Sequence, residues 1–261
     1  MKRVDSVISL IYSMSKAEKK AFSVQMLKDK EEKDYLVIYD IITKSKQLDS
    51  KNVKGEFHKR RPGGSFEVSI QYLYERLTDS LLTLRKKKDI YYDLLNNLCK
   101  ARMLYERSLF EECFEILSDT IEQATYYENN EVLTIALKLE LEYLLRLNFP
   151  NLAESELYHK HFMQNEALKK TRKIVEQSSL HNLLKYRLSH IGSIRTSKQK
   201  QDMNDLMVNE LSIAASSGIE GNFELMRNHR LFQANYLMGA GEYKAALNSY
   251  KELSRLFEQN R

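Results

Sequence analysis

Proline and glycine are what this chain lacks most: two prolines, Pro62 and Pro150, and eight glycines in 261 residues. Helix interiors exclude both residue types, whereas sheets built from tight hairpins consume them. From Ser65 to Phe149 neither occurs, so this run reads as helices joined by short polar turns, and a hairpin-rich sheet is excluded. Cysteine is as rare. Cys99 and Cys113 are the only two, they show no C-x-x-C spacing, and they sit inside helical patterns. They read as buried free thiols rather than a disulfide framework or a zinc site. Long apolar runs are missing as well, and nothing approaches the length that spans a bilayer. In the opening MKRVDSVISLIY, Asp5 interrupts an apolar stretch too short for a secretory signal, and no small-residue cleavage site follows. These absences together predict a cytoplasmic protein.

The residues that are present suit a folded, water-soluble chain, 43% hydrophobic and 30% charged. The net charge of +5 is unevenly spread. Residues 1–100 hold 21 Lys and Arg against 14 Asp and Glu, giving +7; residues 101–261 hold 20 against 22, giving −2. The split predicts two regions with different surfaces, a basic helical domain over residues 1–86 and a set of helical repeats over 87–261.

Within the first region the helices are short and amphipathic. Val4, Val7, Ile8 and Ile11 share a face. Ser15 and Glu18 form a capping box that opens a helix carrying Phe22 and Met26. The charged connector from Lys28 to Asp34 leads to a third helix marked by Tyr35, Ile38 and Ile42. A fourth is capped by Asp49 or Ser50 and turns Val53 and Phe57 inward. After the break RRPGGS, Phe66, Ile70, Leu73, Leu77, Leu81 and Leu84 step by threes and fours, the apolar seam of a long helix.

The second region repeats long helix, short turn, long helix. Three second helices are expected to start around Ser108 and Phe110, around Pro150, and around Gly241 and Tyr243. Each carries a small residue (Cys113, Ala153, Ala246) four before a bulky one (Leu117, Leu157, Tyr250), so that a partner helix can cross closely there. An intermediate hairpin is expected over RKIVEQSSLHNLLKYRLSHIGSIR and DMNDLMVNELSIAAS, and about four hairpins are expected in all.

The stretch GAGEYKAALNSY (Gly239 to Tyr250) carries a resemblance. Its G-E-Y-x-x-A-L-x-x-Y resembles the turn and second helix of a tetratricopeptide repeat, with Gly241 at the turn, Tyr243 after it, Ala246 at the crossing and Tyr250 beyond. Phe110 to Tyr243 spans 133 residues, which intervals of about 44 divide better than the family's 34. The segment SMSKAEKKAF…KDYLVIYDII is also similar to the start of some bacterial repeat proteins. The resemblance implies an all-α, right-handed superhelix that binds a protein or peptide on its concave face. It places Arg102, Tyr105, Lys138, Glu142, Asn228 and Asn235 on that face.

A phosphate-cradling G-x-G needs a preceding strand and a third glycine or a G-K-[S/T]. Here a helical pattern precedes the motif and Lys244 stands at the third-glycine position, so GAGEYK reads as a turn. No G-x-S-x-G or H-E-x-x-H occurs, and His159 and His161 point to different sides of a helix. Catalysis, a metal and a cofactor are therefore not expected. Two basic clusters remain, HKRRPGG and RKKK (Arg85 to Lys88), the latter suited to a helix C-terminus. The alternative function is DNA binding by the basic domain through Lys51, Lys54, Lys59, Arg60 and Arg61, with the repeats used for sensing or for pairing with a second copy.

Overall fold

The computed structural model describes residues 2–26, 33–45, 49–86, 88–191, 196–217 and 222–259. The expected connector at 28–32, Lys87 and residues 192–195 lie outside them. Among the described residues every regular element is an α-helix and no strand occurs. The chain separates into two compact units, residues 1–93 and 94–261.

The first unit contains α1 (Lys2–Ser13), α2 (Lys16–Met26), α3 (Asp34–Lys44), α4 (Ser50–Arg60) and α5 (Phe66–Lys86). Val4, Val7, Ile8 and Ile11 of α1 are buried, as are Phe22, Tyr35, Ile38, Ile42, Val53 and Phe57. They close on α5, which contacts each of the other four helices. The α5 seam fades along its length: Phe66, Ile70, Leu73 and Leu77 are buried, but Leu81 and Leu84 are only half-buried. Two local devices start the helices. The Ser15 backbone N–H donates to Glu18 Oε2 at 2.8 Å, and the Glu18 N–H donates to Ser15 Oγ at 3.3 Å. Asp49, not Ser50, caps α4, accepting from the Asn52 N–H at 2.8 Å. The break after α4 needs glycine for space, because a Cβ on Gly64 would lie 2.8 Å from both the Phe57 ring and the Asp34 carboxylate.

α6 (Ile90–Glu106) leads into the second unit, which holds α7 (Phe110–Tyr126), α8 (Asn130–Arg146), α9 (Glu154–Ile191), α10 (Ser197–Ser217), α11 (Phe223–Gly239) and α12 (Tyr243–Gln259). Five of these, α6, α7, α8, α11 and α12, are each 17 residues long. One turn recurs between them. Ser108, Glu128 and Asn148, twenty residues apart, have φ of 61°, 53° and 58°, and Gly241 repeats the conformation at 82°. In each case the next N–H reaches back five residues: Leu109 to Leu104, Asn129 to Ala124, Phe149 to Leu144 and Glu242 to Leu237, at 2.8–3.0 Å. This is the Schellman closure, which satisfies carbonyls the helix end would leave bare.

The G-x-G stretch is the fourth copy of that turn, and each glycine has its own reason. Gly241 supplies the left-handed φ. Gly239 supplies room, since a Cβ there would come within 2.4 Å of Leu188 on α9.

Two expectations about the hairpins change. Ala153 is exposed and lies before α9 rather than at a helix crossing; the segment around Pro150 lengthens this connection, and Phe149 and Asn151 are also left-handed. The second helix of the second hairpin and the first helix of the intermediate one are a single helix, the 38-residue α9. Residues 154–191 contain no Gly, Pro or turn cluster that would break it, and pairs such as Arg172–Glu176 at 2.9 Å run along it. Lys160, near its start, meets Glu140 on α8, and Leu180, Leu184 and Leu188 pack with Met203, Leu206 and Phe232 of α10 and α11. Ala246 does stand at a close crossing, 4% exposed.

Candidate protein-binding surface

The basic cluster of the first unit is built on α4 and the loop after it. Lys51 is exposed. The other four cations face carboxylates: Lys54 meets Glu67 at 2.5 Å, Lys59 meets Glu56 at 2.6 Å, Arg60 meets Asp40 at 3.0 Å and Arg61 meets Asp34 at 3.6 Å. The hydrogen bonds from Lys54 and Lys59 hold the Glu67 and Glu56 carboxyls below the usual range. Partial burial pushes the Asp40 carboxyl up, but Lys44 and Arg60 outweigh it and the net shift is downward. A cleft of about 370 Å³ opens beside Lys51 and Lys54, floored by Val4, Phe66 and Ile70. The local charge is thus a lattice of ion pairs rather than a row of cations.

In the second unit the six residues projected onto the concave face divide. Arg102 is exposed on α6 and pairs with Glu106 at 3.2 Å. Lys138 is exposed on α8, and Glu142, half-buried there, pairs with Arg146 one turn on. Arg102 and Glu142 occupy the same position, the thirteenth, of their 17-residue helices, and Glu106 and Arg146 both occupy the last. The two ion pairs therefore repeat with reversed sign. Between them Tyr105 stacks on Tyr143, ring centroids 3.7 Å apart and planes 7° from parallel, and Tyr105 also meets Phe110 at 5.3 Å. Burial raises the Tyr143 hydroxyl pKa, and Arg102, Glu142 and Glu106 are all close enough to act on it. The Cys113 thiol is buried, and burial raises its pKa against a smaller lowering by a hydrogen bond with the Tyr105 backbone. Cys113 is buried as expected, but Cys99 is exposed.

Asn228 and Asn235 are not on that face. Each is 8% exposed and is spent holding α11 to its neighbours. Asn228 Nδ2 donates to Ser178 on α9 at 3.5 Å, and Asn235 Oδ1 accepts from Tyr250 on α12 at 3.0 Å. Asn235 Nδ2 also meets His181 at 3.4 Å, a histidine whose pKa burial lowers. Asparagine cannot signal this role by spacing, because the partners come from helices 15 to 54 residues away.

Other partners were equally invisible to local pattern. His229 meets buried Glu210 at 2.7 Å, and Lys160 meets buried Glu140 at 2.8 Å beside a cleft of about 500 Å³; His190, by contrast, stacks on Tyr186 one turn earlier in α9, a spacing the sequence does display. Of the missed members of the α6–α8 face, Glu106 and Arg146 did have a signal, opposite charges four apart that recur with reversed sign forty residues on, whereas Tyr143 is brought in only by its stack on Tyr105. Among the described residues no group of three or more His, Cys, Asp or Glu is placed to hold a metal ion, and no helix is long and apolar enough to cross a membrane. The Tyr105–Tyr143 stack is packed inward, Tyr143 being 4% exposed, and ion pairs of both signs lie beside it.

Protein-family models, curated proteins and solved structures all fail to match this chain.

Proposed function

We propose that this chain is a cytoplasmic, non-catalytic protein-binding scaffold whose hairpins are of tetratricopeptide type, and that the face shared by α6 and α8 receives a protein or peptide. The recurrence of the charged positions on these two helices carries the reading. Arg102–Glu106 and Glu142–Arg146 stand at matching helix positions around the Tyr105–Tyr143 stack. Stacked helical hairpins present such inner helices side by side, and repeat folds use that surface for extended partners. A partner crossing both helices meets alternating charge, which favours register and specificity over raw affinity. The reading also fits the basic unit, where four of the five candidate DNA contacts face carboxylates.

The test is capture from nuclease-treated extract of the native cell, comparing the wild type with Arg102→Glu combined with Lys138→Glu. The expected result is a specific protein retained by the wild type and lost from the variant, with unchanged far-UV circular dichroism. A partner held equally by both, or one lost on nuclease treatment alone, contradicts the proposal.

A further inference from the structure

α9 has a second face that the hairpins do not use. Tyr158, Phe162, Leu168, Val175, Leu183 and Tyr186 are all exposed along it, while other residues of α9 meet α8, α10 and α11. Exposed positions 158, 165, 172, 179 and 186 recur every seven residues; the outer two are tyrosines, the inner three are Asn165, Arg172 and Ser179, and Phe162, Leu168, Val175 and Leu183 fall between them. A seven-residue repeat keeps such a stripe facing a second helix along its whole length.

The order of the stripe is nearly the same read in either direction. Counting from Arg172, apolar residues lie 14, 10 and 4 positions before it and 3, 11 and 14 after it. A two-fold interface requires a patch complementary to itself, and this order meets the requirement for an antiparallel pairing. We propose that the outer stripe of α9 is a homodimerisation surface on which a second copy of this chain lies antiparallel, with the two-fold axis at Arg172. Tyr158 then meets Tyr186 of the other copy, Phe162 meets Leu183, and Leu168 meets Val175.

Charge and area agree with that occupant. Glu176 holds the Arg172 guanidinium at 2.9 Å within each copy, so the axis does not oppose two uncompensated cations. The same register brings Lys169 beside Glu176 of the other copy, both substantially exposed in one chain. Tyr158, Phe162 and Tyr186 are 69%, 62% and 62% exposed. Side chains of this size hide about 150–250 Å² each when fully buried, so with the three aliphatic residues the stripe offers on the order of 600 Å² per copy. A dimer burying roughly 1,200 Å² in total stands at the lower edge of specific, stable interfaces, where micromolar dissociation constants are common.

This inference is independent of the α6–α8 face, and its test needs no partner. Sedimentation velocity from about 0.1 to 100 µM, a range that brackets micromolar affinity, should show the 30.7 kDa chain passing from monomer to dimer. Phe162→Glu and Leu183→Glu, each present twice in a symmetric dimer, should each weaken association about a hundredfold or more. Tyr126→Glu, at an 80% exposed site on α7, should leave it unchanged.

Orientation is read separately by oxidative cross-linking in a Cys99→Ser background, which removes the exposed native thiol. Arg172→Cys should link to itself. Tyr158→Cys alone should not, but a mixture of Tyr158→Cys and Tyr186→Cys chains should. A chain that stays monomeric at the highest concentration, or dimers that survive both glutamate substitutions, overturns the proposal. Self-linking of Tyr158→Cys without its counterpart overturns the antiparallel arrangement.

Discussion

Ser108 holds a left-handed conformation that glycine would hold at less cost. An L-residue in that region loses about 1–2 kcal/mol to contact between its Cβ and the following carbonyl. Replacing it by glycine returns that energy but gives the unfolded chain more freedom, an opposing effect of about 0.4–1 kcal/mol. The difference predicts that Ser108→Gly stabilises the second unit by roughly 0.5–1 kcal/mol. Gly241 has φ of 82° in the same turn, so Gly241→Ser should destabilise by a similar amount. Glu128, the third position considered, must behave differently. Its Oε2 accepts from the Phe223 N–H at the start of α11, at 3.0 Å, so Glu128→Gly loses a helix-end partner while relieving the backbone. The expected order of urea midpoints is therefore Ser108→Gly above wild type, Glu128→Gly at or below it, and Gly241→Ser below it. Ser108→Ala serves as the control, since it changes the side chain without freeing φ. Equal midpoints for Ser108→Gly and Ser108→Ala would refute the argument from backbone strain.

Two further outcomes follow from the geometry. Ala246→Glu should cost about 2–4 kcal/mol by burying a carboxylate at a close crossing, whereas Lys244→Glu, exposed on the same helix, should stay within about 0.5 kcal/mol; urea unfolding compares them, and similar midpoints would mean that the faces of α12 are misassigned. The Glu18 carboxyl is held below its ordinary pKa, first by the Ser15 backbone N–H and then by the Ser15 hydroxyl. Its contribution is therefore present above the unfolded pKa and is lost as pH falls through the folded one, so Glu18→Gln should destabilise the first unit near neutral pH and lose that effect in acid. A penalty independent of pH would show that the capping box does not act through the charge.

The sequence was most legible where one residue type has one structural use. The dearth of proline and glycine forced helices, Ser15 and Glu18 announced a capping box, and the spacing of Phe66, Ile70, Leu73 and Leu77 drew the seam of α5. Ala246 marked a close crossing for the same reason. Legibility failed where the same structure is reached by different residues. The turn that recurs at Ser108, Glu128 and Asn148 is built without glycine, and only at Gly241 does it resemble a known motif. Ala153 was misplaced because the longer connection around Pro150 displaced the helix start by several residues. The continuity of α9 was hidden because a helix that serves two hairpins carries no mark at the point where one would end. On the candidate face, Arg102 and Lys138 are exposed and Glu142 is half-buried, but the buried bonds of Asn228 and Asn235 come from distant helices and could not be read locally.

The central claim is that a partner lies across α6 and α8. Photo-cross-linking residues placed singly at positions 102, 138 and 142, with positions 51 and 244 as exposed controls, test it most directly in the native cell. The account predicts a shared protein adduct at the first three positions and none at the controls. Adducts confined to position 51, or labelling spread evenly over all five, would contradict it.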